Sequence, residues 1–115
     1  MTNYAHGHEA EKYAAEYLKQ QGYKILELNW RRPQAEIDIV ACQKHEPITF
    51  IEVKYRESAG QGGGLDYITP RKLDQMRFAA ELWVNEHRYD GEYVLAAIEV
   101  AGLDYKIAEF IESLT

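Results

Sequence analysis

Two short runs place acids and a lysine at strand spacing: Glu36-Ile37-Asp38-Ile39-Val40 and Ile51-Glu52-Val53-Lys54-Tyr55-Arg56. In an extended chain successive side chains point to opposite faces. Glu36 and Asp38 therefore share one face, and Ile37 and Ile39 the other. By the same count Glu52, Lys54 and Arg56 share a face, while Ile51, Val53 and Tyr55 take the opposite one. If the strands pair, two carboxylates meet a third carboxylate and an ammonium. Like charges clustered across strands repel, so something should compensate them. A bound cation would do so. The donors on offer are oxygens, which suit Mg²⁺ or Mn²⁺. Either triplet alone also reads as the wet side of an amphipathic strand. Their conjunction favours a site: both strands are apolar enough to be central, and they are near neighbours in sequence.

A further acid lies upstream. Ala10, Tyr13, Ala14, Tyr17 and Leu18 recur at helical spacing over about Glu9 to Gln21. On a wheel of about 100° per residue, Glu11 falls beside Ala15 and Leu18 at the edge of the apolar arc. It points towards the sheet margin, where a metal site could use it. An exposed acid favoured by the helix dipole is the competing reading. No Cys/His cluster has zinc spacing. His6 and His8 are expected in a loose N-terminal arm. They, His45 and His87 read as ordinary surface residues, and Cys42 as a structural thiol at a strand end.

The elements that must position these groups are legible from periodicity and punctuation. Gly22 is placed to stop the first helix. Tyr23 to Asn29, Glu36 to Ala41 and Ile48 to Tyr55 read as strands, with Tyr23, Ile25 and Glu27 on one face of the first. Cys42 to Pro47 is a short polar connection, suited to an antiparallel pair. Gly60-Gln61-Gly62-Gly63-Gly64 reads as a mobile loop. Thr69-Pro70 opens a second helix as N-cap and first helical residue. Its apolar stripe is Leu73, Met76, Ala80, Trp83 and Val84, and it ends near His87 to Tyr89. Tyr93 to Val100 and Tyr105 to Phe110 are two more strands. The expected class is α/β, a mixed central sheet of about five strands flanked by helices, forming one domain over residues 1–115.

The whole chain sets outer bounds. At 115 residues and 46% hydrophobic it can bury a core. One cysteine permits no intrachain disulfide, which fits a reducing cytosol. No secretion signal and no run of roughly 18 apolar residues is visible, so a cytoplasmic protein without membrane attachment is expected. The net charge of −6 argues against tight non-specific binding to nucleic acid, which depends on many cations neutralising phosphates. It does not exclude a small site that meets a phosphate through a metal.

Taken together, Asp38, then Glu52-Val53-Lys54, with Glu11 as a preceding helical acid, resembles the PD-(D/E)XK nuclease superfamily. The layout is similar to that of archaeal Holliday junction resolvases. The resemblance is closer still to the small bacterial YraN-like family. It runs through Gly7-His8-Glu9-Ala10-Glu11, Tyr17-Leu18, Gly22 to Leu26, Asn29-Trp30-Arg31, Glu36 to Ala41, Phe50 to Arg56, and Thr69-Pro70-Arg71-Lys72. Ala10 and Ala35 stand where that family often has Gly, and Gln61 where it often has an aromatic residue. None of these departures removes an expected ligand.

The resemblance implies a restriction-endonuclease-like core and a Mg²⁺- or Mn²⁺-dependent nuclease acting on nucleic acid, DNA before RNA, in repair or recombination. Asp38 and Glu52 would hold the metal, with the Val53 carbonyl and Glu11 as further ligands and Glu36 as an accessory acid. Lys54 would orient water or neutralise charge. Arg56, Arg71 and Lys72 could hold flanking phosphates, the last two at a helix start that favours anions. Cutting both strands of a duplex from one small site calls for pairing or rebinding, so a homodimer fits. The alternatives are a non-catalytic nucleic-acid binder on the same fold, and an interaction protein using exposed aromatics such as Trp30 or Tyr67.

Overall fold

The computed structural model describes residues 3–58 and 66–114, with side chains from residue 5 onwards. The glycine-rich stretch at 60–64 lies outside the described residues. Among the described residues seven elements follow one another: α1 (Asn3–Gln20), β1 (Lys24–Arg32), β2 (Ala35–Cys42), β3 (Ile48–Arg56), α2 (Pro70–Glu86), β4 (Tyr93–Ala101) and β5 (Lys106–Ile111). The strands form one sheet in the order β1-β2-β3-β4-β5. β3 and β4 run parallel, and the other neighbours are antiparallel. This is an α/β fold with a mixed five-stranded sheet and two helices, compatible with a restriction-endonuclease-like core.

The parallel pair follows from chain length. Antiparallel neighbours need only a tight connection, whereas a parallel return needs a crossover, here supplied by α2. Thr69 caps that helix: its Oγ1 accepts the Lys72 N–H at 3.1 Å, and Pro70 sits where a missing N–H costs nothing. Gly22, at φ 93, takes the left-handed turn that ends α1.

Each helix covers its own face of the sheet. Ala10, Ala14, Ala15 and Leu18 of α1 pack on Ile39, Ala41, Ile51, Ala96, Ile98 and Val100. Met76, Ala79, Ala80 and Trp83 of α2 pack on Trp30, Ile37, Val40, Phe50 and Leu95. α1 begins earlier than its apolar periodicity announced. His6 and His8 are helical, not part of a loose arm. His6 stacks on Tyr55 at 4.9 Å between ring centroids and shares a hydrogen bond with the Tyr105 hydroxyl at 2.9 Å. These aromatic partners, far away in sequence, anchor the first turn. His87 is likewise engaged, stacked on Trp83 at 3.8 Å and bonded through Nδ1 to the Trp83 carbonyl at the end of α2.

Glu27 does not share a face with Tyr23 and Ile25. Those two pack against the α1-side core, whereas Glu27 accepts the Trp83 Nε1–H at 3.0 Å on the α2 side. The register of β1 against β2 shifts between Ile25 and Glu27, and a bulge of this kind inverts the alternation beyond it.

Candidate metal and phosphate site

The strand carrying Glu52 behaves as alternation dictates. Ile51, Val53 and Tyr55 face the α1-side core, and Ile48 and Phe50 the α2-side core. Glu52, Lys54 and Arg56 therefore project from the α2 face, beyond the end of the helix that covers Phe50.

β2 departs from regular alternation. Ile39 joins the α1-side core, but Ile37 joins the α2-side core with Trp30. Ile37 and Ile39 therefore do not share a face. The inversion falls at the level of Asp38, opposite Asn29 of β1, whose φ of 53 is left-handed. Asn tolerates that conformation better than most residues. Two residues that regular pleating would keep together are thus separated, and Asp38 sits at the break.

The pairing of β2 with β3 ends at Ile39↔Ile51. Beyond it the strands fork, and the next β3 donors on that side need another acceptor. The Asp38 carboxylate supplies one: the Val53 N–H donates to its Oδ2 at 2.8 Å. Asp38 is thereby tied to the residue between Glu52 and Lys54. Burial and then the charge of Glu52 push the Asp38 carboxyl up to about 8, with Glu11 and Glu36 adding in the same direction and the Val53 N–H opposing. Three acids, from α1, β2 and β3, therefore act on Asp38.

Glu11 is half-buried, as the helical wheel expected. Burial raises its carboxyl above the usual range; His8, the Asn29 amide and Arg31 oppose that rise. Its Oε1 is buried without a hydrogen-bond partner among the described residues. Glu36 pairs with the Arg31 guanidinium at the rim. Glu52 pairs with the Lys72 ammonium at 3.0 Å.

Two open clefts meet at Glu52. One, of about 580 Å³, runs past Glu36, Arg71, Lys72 and the exposed ring of Phe78. The other, of about 480 Å³, runs past Gly7, Lys54, Tyr55 and Arg56. Arg56, expected to meet phosphate, instead binds the buried Glu99 at 2.5 Å. Lys54 makes no ion pair among the described residues and stands 6.0 Å from the centroid of the Tyr67 ring. Arg56 stands 5.8 Å from the same ring. Tyr67 is half-buried, and burial, then Glu52 and Glu99, raise its hydroxyl well above the ordinary tyrosine value. Trp30 is 2% exposed and so offers no free surface.

Two groups here, Asn29 and Glu99, carry no role in the sequence pattern, and Tyr67 was expected only as an exposed aromatic at an interaction surface. Asn29 and Glu99 left a faint signal, since both residue types are disfavoured inside strands and so need a local reason to be there. Tyr67 left none, because only the turn before α2 brings it over Lys54.

Does the set fit a divalent ion? Among the described residues no three His, Cys, Asp or Glu side chains stand together as a ready cage. Mg²⁺ does not demand one, since it is usually held through one or two carboxylates, waters and substrate phosphates. The Asp38–Glu52 pair meets that requirement. The orphaned Glu11 oxygen and the mutual repulsion of the acids are what a dication would relieve.

The comparisons agree on kinship. The family described as "Uncharacterised protein family UPF0102" matches residues 10–100. A UPF0102 protein of Dehalococcoides mccartyi is 43% identical over 73% of this chain and 69% of its own length. One from Syntrophomonas wolfei is 43% identical over 64% of this chain, which spans 64% of that protein's length. One from Shewanella loihica is 37% identical over 90% of this chain and 93% of its own.

Proposed function

The chain belongs to the UPF0102 family, and from that footing we propose that it is a Mg²⁺- or Mn²⁺-dependent nuclease of the PD-(D/E)XK type, hydrolysing phosphodiester bonds of nucleic acid. Kinship alone does not define chemistry. The observation that carries the reading is the fork of β2 and β3. It seats Asp38 on the Val53 N–H, with Glu52 on one side of Val53 and Lys54 on the other.

In this reading Asp38 and Glu52 hold the ion, with Glu11 and the Val53 carbonyl as further oxygen donors. When bound, such an ion would polarise a phosphodiester oxygen and lower the pKa of a water. Lys54 orients the attacking water or neutralises charge developing on the phosphate. Its ammonium suits that task because neighbouring cations are already engaged: Arg56 with Glu99, Arg31 with Glu36. In-line attack by that water would form one P–O bond and break the bond to the leaving ester oxygen, with the water's proton passing to solvent and a proton from solvent ending on the leaving oxygen. Glu36 acts as an accessory acid. Arg71 and Lys72, at the capped start of α2, hold flanking phosphates with help from the helix N–H groups.

The test is cleavage by purified protein of duplex, branched and single-stranded DNA and of RNA, with Mg²⁺ or Mn²⁺. Wild type should cut at least one of these. Asp38→Ala and Lys54→Ala should each lower the rate by at least about 10²-fold, the scale of losing one charge-stabilising group, while circular dichroism stays native. Wild type that cuts none of them overturns the proposal.

A further inference from the structure

Lys72 stands where a metal ligand set would not ordinarily keep a lysine. It lies in the first turn of α2, anchored by its own N–H to the Thr69 hydroxyl. From there its ammonium reaches across the cleft to Oε2 of Glu52 at 3.0 Å. Both side chains are partly sheltered, at 30% and 20% exposure, so the contact is less screened than an open surface pair. Glu52 is also the carboxylate that presses hardest on Asp38. One monovalent cation thus sits on the acid that acts most strongly on Asp38.

We propose that Lys72 is a resident counter-ion of Glu52, which yields that carboxylate to a divalent ion and turns to a substrate phosphate in the same cleft. This rests on the nuclease reading above. The physical case is a conflict of charge. An ammonium and a dication cannot both sit against one carboxylate oxygen without strong repulsion. Lys72 must then swing away, and its four-carbon stem permits this with the backbone held by the cap. The space open to it is the cleft lined by Glu36, Arg71 and Phe78. A phosphate arriving there would accept the displaced ammonium. Metal and nucleic acid would then strengthen each other's binding, because each removes the obstacle the other meets. Such coupling is reciprocal by thermodynamic necessity. Lys72 in this account is a positioning residue, not a catalytic one.

The test is calorimetric titration of Mn²⁺ into wild type, Lys72→Met and Arg77→Met. The last removes a positive charge from the same helix at a residue that pairs with Asp74 and lies away from Glu52. Lys72→Met should bind Mn²⁺ roughly three- to fivefold more tightly than wild type, the worth of one partly screened ion pair, and Arg77→Met should bind as wild type does. Repeating the titrations with a non-cleavable phosphorothioate oligonucleotide should tighten Mn²⁺ binding in wild type and do so less in Lys72→Met. Equal or weaker Mn²⁺ binding by a folded Lys72→Met overturns the proposal and leaves the nuclease reading standing. So does an equal gain in Arg77→Met, which would make the effect one of general charge. If wild type and Lys72→Met both bind no Mn²⁺, the nuclease reading falls and this proposal with it.

Discussion

Asp38 is the residue on which charge, burial and backbone pairing converge. Its carboxyl is raised to about 8 by burial and by Glu52, so in the metal-free protein it keeps a proton that the unfolded chain gives up near the ordinary carboxylate value. A raised folded-state value means stability that is present in full below the unfolded value and lost as pH climbs through the folded one. The metal-free protein should therefore lose stability from about pH 4 to about pH 8, with a slope bounded at about 1.4 kcal/mol per pH unit for one proton. Asp38→Asn keeps an acceptor for the Val53 N–H and removes the proton. Urea unfolding across that range should show a flatter profile in the variant and a more stable variant at pH 8. A profile identical to wild type would mean that Asp38 titrates elsewhere. Mn²⁺ binding should strengthen over the same range, because a ligating carboxylate must shed its proton.

At the scale of elements, the legible and illegible parts separate for physical reasons. All seven elements could be read from the sequence because each carries its own periodicity or punctuation: Gly22 after α1, Thr69-Pro70 before α2, unbroken Ile/Val/Phe runs in β2 and β3. The early start of α1 was not legible, since His6 gains its partners from Tyr55 and Tyr105, remote in sequence. The inversion of β2 was not legible either. Alternation puts Ile37 and Ile39 together, and only the left-handed Asn29 across the ladder signals the break. The approach of Asp38 to Glu52 was legible because it needs only two adjacent strands. The partners of Arg56 and Lys72 were not, because they come from β4 and from the placement of α2. Two variants probe these devices. Asn29→Val forces a β-branched residue into φ 53 and should cost about 1–3 kcal/mol, whereas Asn29→Gly, free of that strain, should cost less. Equal costs in chemical denaturation would show that the backbone there is not the constraint. Thr69→Ala should cost about 1 kcal/mol through the lost cap of α2.

The molecule as a whole is acidic, at a net charge of −6. Several of its cations near the site are neutralised by acids, and Lys54, Arg71 and Lys72 are those placed to meet phosphate. Affinity for nucleic acid should then be modest and only weakly salt-dependent. Three phosphate contacts on duplex DNA give a slope of log K against log salt near about −2.7. Fluorescence anisotropy over a salt series, with Asp38→Asn to prevent cutting, measures it, and a slope several times steeper would reveal a basic surface elsewhere. The scarcity of unpaired cations also weighs against a pure binder, which must draw its affinity from phosphate contacts. Among the described residues no helix is long and apolar enough to cross a membrane.

The most direct measurement is anomalous scattering from a crystal of the protein soaked in Mn²⁺. A peak is expected between the carboxylates of Asp38 and Glu52, with the Lys72 ammonium moved off Glu52. A fully soaked crystal with no peak there, or with Mn²⁺ bound only at other acids, would contradict it.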